Sequence, residues 1–286
     1  LNADLFDDRR CSLGEGPLWH PERGQLFWFD ILAGRLLTRT GDGPAAWDFD
    51  QMVSACGWVD HDHLLVASET RLFLFNLVSG AEERVCDLEG DNALTRSNDG
   101  RADPYGGFWI GTMGKKGEDH AGAIYRFYRG ELRRLYDRIS ISNAICFAPD
   151  GRHAYFTDTR TQRLMRVALD GEGWPAAEAD CFIDFRADDL DPDGAVVDAV
   201  GNLWVAQWGA SRVAVYGPDG DFLFAEAFGA PHLTCPAFGG RDGQTLYVTS
   251  ARCELDEAGI AQHPLAGSVF QRDVTLKGQR EHKVQL

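Results

Sequence analysis

The sequence predicts an all-β fold, a six-bladed β-propeller with four-stranded antiparallel blades around a central channel. Three observations lead there. Short apolar or aromatic segments recur as LFWFD (26–30), LLVAS (64–68), FWIGT (108–112), AYFTD (154–158), LWVAQ (203–207) and LYVTS (246–250), starting 38, 44, 46, 49 and 43 residues apart. Most follow a Gly- or Asp-containing turn and lead into a second strand-like segment, such as RLFLFNL, GAIYRFY or RVAVYGP. No long amphipathic helix pattern interrupts them, which removes βαβ architectures. A period in the forties with several short strands per copy is the sequence signature of a propeller blade. A pair of β-sandwiches would not produce six near-equal copies. No Pro-rich linker divides the chain, so residues 1–286 are expected to form one domain, with blade edges covered by neighbouring blades.

Each element has its own reason. Trp28, Trp109 and Trp204 occupy equivalent strand positions and read as blade-packing residues, whereas Trp208, just past its strand, is better placed to line a pocket. Hydrophobic residues make up 44% of the chain and charged residues 25%, enough for a sizeable core. The net charge of −16, with no basic run, disfavours nucleic acid and anionic membranes as partners. No apolar stretch reaches the roughly 18–20 residues that cross a bilayer, and LNADLFDDRR lacks the pattern of a signal peptide. The seven cysteines (11, 56, 86, 146, 181, 235 and 253) include no CxxC, which points to reduced, mostly buried thiols in a cytoplasm. GxSxG, HExxH and phosphate-binding glycine loops are all missing.

The chemistry sits just upstream of the aromatic strands. Glu15 precedes Trp28 by 13 residues, Asn98 precedes Trp109 by 11, Asn143 precedes Tyr155 by 12, Asp193 precedes Trp204 by 11 and Cys235 precedes Tyr247 by 12. Equivalent positions in successive blades form a ring, so these residues converge on the axis. The same alignment separates three Pro-Asp-Gly copies: those at 149–151 and 218–220 are turns, while 192–194 falls in the ring. Two carboxylates and two amides make an all-oxygen set that suits a hard divalent cation, Ca²⁺ first, with Mg²⁺ or Mn²⁺ behind it. The plainer alternative is that each residue caps a strand.

GEGPLWH (14–20), SNDG (97–100) followed by FWIGTM, SNAICFAPDGRHAYFTDT (142–159) and PDGAVVDAVGNLWVA (192–206) together resemble the regucalcin/gluconolactonase, or senescence marker protein, family. Within it the chain looks most like bacterial sugar-acid lactonases. The resemblance runs from about residue 11 to the C-terminus. It implies one divalent metal in the axial channel, with Ca²⁺ foremost and Zn²⁺, Mn²⁺, Mg²⁺ or Fe²⁺ as other choices. Carried over, Glu15, Asn143 and Asp193 look like the metal ligands, with Asp193 also assisting water attack. Arg96 and Asn98 look like substrate-hydroxyl donors, and Asp99 like a supporting acid near the metal. Lys116 stands where the family often has an acidic residue. The implied activity is hydrolysis of an aldonolactone by a monomer. The alternatives are an organophosphate or ester hydrolase, and a calcium-binding propeller without catalysis.

Overall fold

The structure is a computed structural model that describes residues 4–286. Six four-stranded antiparallel sheets follow one another along the chain. Their inner strands are Gly14–His20, Val53–Asp60, Thr95–Ala102, Ser142–Phe147, Asp191–Val197 and Leu233–Gly239, which open blades 1 to 6. Each inner strand packs against the inner strands of both neighbours, blade 6 returning to blade 1. Blade 6 holds three C-terminal strands, and the N-terminal strand Asp4–Asp7 adds to Val269–Asp273 as its fourth. The first and last strands are therefore joined in one sheet.

The core lies between the blades. It divides into six apolar clusters, one for each seam between neighbouring blades. The recurrent aromatic strands fill these seams because both of their faces are covered. Trp28 and Trp109 are fully buried and Trp204 nearly so. Trp109 meets Phe147 of the next blade edge-on at 5.5 Å, and Trp204 meets Phe238 at 5.3 Å. Such contacts add to the area that each ring removes from water.

One expectation needs correction. Blade edges are not covered by neighbours: the outer strands Glu82–Asp87, Glu131–Ile139 and Phe222–Ala227 are largely exposed. Adjacent blades meet through the faces of their inner and middle strands, so the fourth strands splay outward. Charged side chains on two of these strands, EERVCD and ELRRLYDRI, oppose edge-to-edge pairing. The cysteines are mostly buried, as expected. Cys11, Cys56, Cys146 and Cys235 are buried, Cys86 and Cys253 half-buried, and Cys181 exposed; all are unbridged.

After Asp273 the chain crosses beneath the ring. Ala199 N–H donates to Lys277 (2.8 Å), Gln279 Nε2 donates to the carbonyls of Phe147 (2.9 Å) and Val197 (3.0 Å), and Gln285 N–H donates to Gly106 (2.8 Å). These contacts fall at or beyond the ends of inner strands, whereas Glu15, Asn143 and Asp193 sit at their beginnings. The tail therefore closes the channel at the end away from those residues. Its anchor is an ion pair between Glu281 and Arg101 at 2.5 Å, with side chains only 7% and 9% exposed. Burial works against the Arg101 charge, and Glu281 more than offsets it, so the guanidinium pKa rises.

Removing one member of this pair leaves a buried charge alone. Glu281→Ala is expected to cost about 3–5 kcal/mol, read as a lower midpoint in thermal or denaturant unfolding. The double variant Arg101→Met/Glu281→Leu should recover most of that loss. Equal midpoints for wild type and Glu281→Ala would show that the tail does not hold the ring.

Candidate functional site

Every inner strand breaks register near its start. The irregularities fall between Glu15 and Leu18, Val53 and Ala55, Ser97 and Gly100, Asn143 and Cys146, Pro192 and Ala195, and Leu233 and Pro236. A bulge inserts an unpaired residue and re-aims its side chain. Here six bulges in register turn the ring positions toward the axis. Gly16 takes φ +54°, and a Cβ there would collide with the Ser54 carbonyl, so only glycine fits beside Glu15. Gly194 is pressed against Cys235 in the same way. Pro192-Asp193-Gly194 is thus strand and bulge, not turn. The copies at 149–151 and 218–220 are turns, closed by Gly151 N–H to Ala148 (3.0 Å) and Gly220 N–H to Gly217 (2.9 Å).

Glu15, Arg96, Asn98, Asn143 and Asp193 line one cavity of about 530 Å³ at this mouth of the channel. Asp99 lies just outside that lining; its Oδ2 accepts the Ile145 N–H at 2.7 Å. Cys235 backs Gly194 and does not line the cavity, and Lys116 is exposed outside it. The alignment of repeats left blade 2 without a ring residue. Ser54 fills that place, donating to Ser97 at 2.7 Å. Thr159, Gln162 and Glu254 also line the cavity but carry no repeat signal, because they come from connections and not from inner strands.

The amides are oriented by a chain of hydrogen bonds around the ring. Arg96 Nη1 donates to the Ser97 carbonyl (2.9 Å) and to Asn98 Oδ1 (2.7 Å). Asn98 Nδ2 then donates to the Ser142 carbonyl (2.9 Å) and to Asn143 Oδ1 (3.0 Å). Asn143 Nδ2 donates to Thr159 Oγ1 (3.0 Å), and Thr159 donates to the Pro192 carbonyl (2.8 Å). Because a carbonyl takes the Thr159 proton, that hydroxyl must accept from Asn143, which fixes the amide with Oδ1 on the Asn98 side. Both Asn98 N–H bonds are committed within the protein. Its oxygen is the atom left to meet a ligand hydroxyl.

The electrostatics are unbalanced. Burial raises the pKa of Glu15, and the Asp99 charge adds to the rise; burial and the Glu15 carboxylate raise Asp193 well above the ordinary range. Burial pushes Asp99 up to about 6. Arg96 is the nearby cation, yet burial lowers its pKa to about 10 and its Nε has no hydrogen-bond partner. Among the described residues, no group of three or more histidine, cysteine, aspartate or glutamate side chains is placed to hold a metal ion. The oxygens available are two carboxylates and the Asn143 amide. Two buried, repelling carboxylates beside an oriented amide oxygen form a donor set that fits a hard cation.

The chain matches the description SMP-30/Gluconolactonase/LRE-like region over residues 13–252. It is 40% identical over 284 residues to a Rhizobium meliloti protein provisionally named a sugar lactone lactonase, covering 98% of this chain and 96% of the relative. It is 37% identical over 276 residues to L-arabinolactonase of Azospirillum brasilense, covering 94% of this chain and 90% of the relative. Among solved structures, regucalcin of Agrobacterium tumefaciens, described as a calcium-binding protein, superposes with a TM-score of 0.97 at 39% identity, covering 99% of this chain and 97% of that one. The chain belongs to the SMP-30/gluconolactonase/LRE-like family.

Proposed function

We propose that the protein is a metal-dependent aldonolactonase that hydrolyses a sugar-acid lactone to the open-chain aldonic acid. The observation that carries this reading is the pair of buried carboxyl groups, Glu15 and Asp193, both with raised pKa values, in a polar cavity of about 530 Å³. The lactonase named among the relatives and the calcium-binding neighbour support it. Glu15, Asp193 and Asn143 would hold one divalent cation. Ca²⁺ is the first choice because it accepts carboxylate and amide oxygens in loose geometry, and Mg²⁺, Mn²⁺, Zn²⁺ and Fe²⁺ also take oxygen ligands. When bound, such an ion supplies Lewis-acid polarisation of the lactone carbonyl.

The chain's own residues supply the remainder. Asp193 accepts a proton from the water whose oxygen adds to the carbonyl carbon, and returns it to the ring oxygen as that C–O bond breaks. Arg96, with Nε unpartnered, directs donors at the negative charge that develops on the carbonyl oxygen or at substrate hydroxyls. Asn98 accepts from a hydroxyl through Oδ1, since both of its N–H bonds point into the protein. Asp99 adds negative charge beside the carboxylates and holds the Ile145 backbone at 2.7 Å.

Base-release titration with xylono-, arabinono-, galactono- and gluconolactone tests this. Turnover should fall to the buffer rate on chelation and return with Ca²⁺ or another divalent ion. Hydrolysis that never exceeds buffer with any ion added would sink the reading, and Ca²⁺ binding without turnover would favour a non-catalytic calcium-binding protein. Asp193→Asn is expected to lower kcat by about 10²–10⁴-fold while the fold survives. Wild-type rates in that variant would remove Asp193 from the chemistry.

The chelated protein should also respond to pH. Asp99 is raised to about 6, and Glu15 and Asp193 are raised too, so the folded state binds more protons than the unfolded chain above about pH 4. Its stability should therefore fall as pH rises from about 4 through 6 and beyond, as the folded carboxyl groups lose their protons. Divalent ion should flatten that slope. A chelated protein whose unfolding midpoint rises across this window would contradict the buried, uncompensated cluster.

A further inference from the structure

We infer that Trp208 is the platform on which the C–H face of the lactone ring rests, and that it sets which epimers the cavity accepts. The inference rests on the lactonase reading above. Trp208 ends the strand Leu203–Trp208 and pairs with Asp191, two residues before Asp193. Among the described residues it is the one tryptophan lining the cavity of Glu15 and Asp193. One side of its indole is already covered. The His232 imidazole stacks on it, with centroids 4.1 Å apart and planes 10° from parallel. His232 does not line the cavity, so it is the opposite face of the indole that is assigned to the lactone.

The stack is held between blades. Trp208 belongs to blade 5, and His232 immediately precedes the inner strand of blade 6, where its carbonyl accepts the Ala251 N–H at 2.9 Å. His232 Nδ1 lies 3.1 Å from the Cys253 carbonyl, which can only accept, so Nδ1 carries the proton. Burial lowers the imidazole pKa and keeps the ring neutral. The indole is thereby held in place at the wall of the cavity that Glu15 and Asp193 line.

Sugar lactones carry hydroxyls on some edges and C–H bonds on their faces. Hydrogens on carbons next to oxygen are partly positive and pack against the negative face of an indole. An epimer with a hydroxyl on that face would bury a polar group without a partner. Trp208 therefore favours lactones with an uninterrupted C–H face, leaving hydroxyl edges for Arg96 and the Asn98 oxygen.

Steady-state kinetics on the four lactones above, with Trp208→Ala, Trp208→Leu and Trp208→Phe, test this. Trp208→Ala should raise KM about tenfold with kcat changed less than about twofold, and the preference among epimers should flatten. Leucine keeps apolar bulk without a π face and should behave like alanine; phenylalanine should retain part of the preference. His232→Ala should weaken discrimination and His232→Phe should restore it, because stacking needs a ring and not an imidazole. Unfolding midpoints identify any variant that fails to fold. A second arm needs no turnover: tryptophan emission of Asp193→Asn titrated with each lactone should change, and should stay flat when Trp208→Phe is added. Emission that responds without hydrolysis in the wild type would overturn the lactonase reading and keep the platform. Hydrolysis with KM, epimer preference and emission all indifferent to Trp208 would overturn the platform alone.

Discussion

The site depends on the closing of the ring. Six twisted sheets set around an axis leave a gap between first and last unless something ties them, and here the tie is the four-residue strand Asp4–Asp7. Its ladder to Val269–Asp273 pairs Leu5 with Phe270 and Asp7 with Val269. Asp7 adds a second bond across the join. Its buried carboxylate takes Arg9 at 2.8 Å and Arg39 of blade 1 at 3.0 Å. Burial opposes the Asp7 charge, and these guanidinium partners and the Arg9 N–H prevail, so its pKa is lowered. The N-terminal strand is thus paired to blade 6 and charge-linked to blade 1. Without that join the inner strands of blades 6 and 1 would lose their fixed separation, and with it the geometry around Glu15.

Closure makes it possible to bury like charges together. Each seam carries its own apolar cluster, so stability is spread around the ring and the axis needs no apolar core of its own. The space left at the centre is lined by polar side chains, several of them charged. Glu15, Asp99 and Asp193 near the start of the inner strands repel one another, while Arg101 and Glu281 at the far end neutralise each other. The far end is self-sufficient and the near end is not. A fold that balances one charge cluster internally and leaves the other unbalanced has directed the second toward something outside the chain.

Much of this was legible in the sequence because a propeller repeats its chemistry. The aromatic strands give the period, and the period places Glu15, Asn98, Asn143 and Asp193 at equivalent positions although they are far apart in the chain. The cavity they share is the geometric consequence. What does not repeat could not be read that way. Asp4–Asp7 is a single short strand whose partner lies at the other end of the chain, and the tail from 274 onward has no counterpart in any blade. Thr159 sits in a one-turn 3₁₀ segment, Thr159–Thr161, where only its contacts to Asn143 and Pro192 give it meaning. Trp208 stood out by its position, but its support from His232 crosses a seam, and no spacing encodes that. Outer-strand exposure differs from the expectation for a related reason: a repeat period says how many blades there are, not how far their edges splay.

The Pro-Asp-Gly at 192–194 shows how one tripeptide is adapted to a place that is not a turn. Proline has no N–H, so it leaves no orphan donor where the bulge disrupts the ladder between Pro192 and Ala195. Its carbonyl accepts the Thr159 hydroxyl, which obliges Thr159 to accept from Asn143 and so turns the Asn143 oxygen toward Asn98. Glycine lets the backbone lie against Cys235, where a Cβ would collide. Between them stands Asp193, with its carboxylate in the cavity. An alanine at 194 or a residue with an N–H at 192 would shift the Asp193 carboxylate within the cavity, through the path of the strand that carries it. The same tripeptide in the turns at 149–151 and 218–220 answers only to the local backbone. The constraint that distinguishes the three copies is the neighbouring blade, and only the closed ring supplies it.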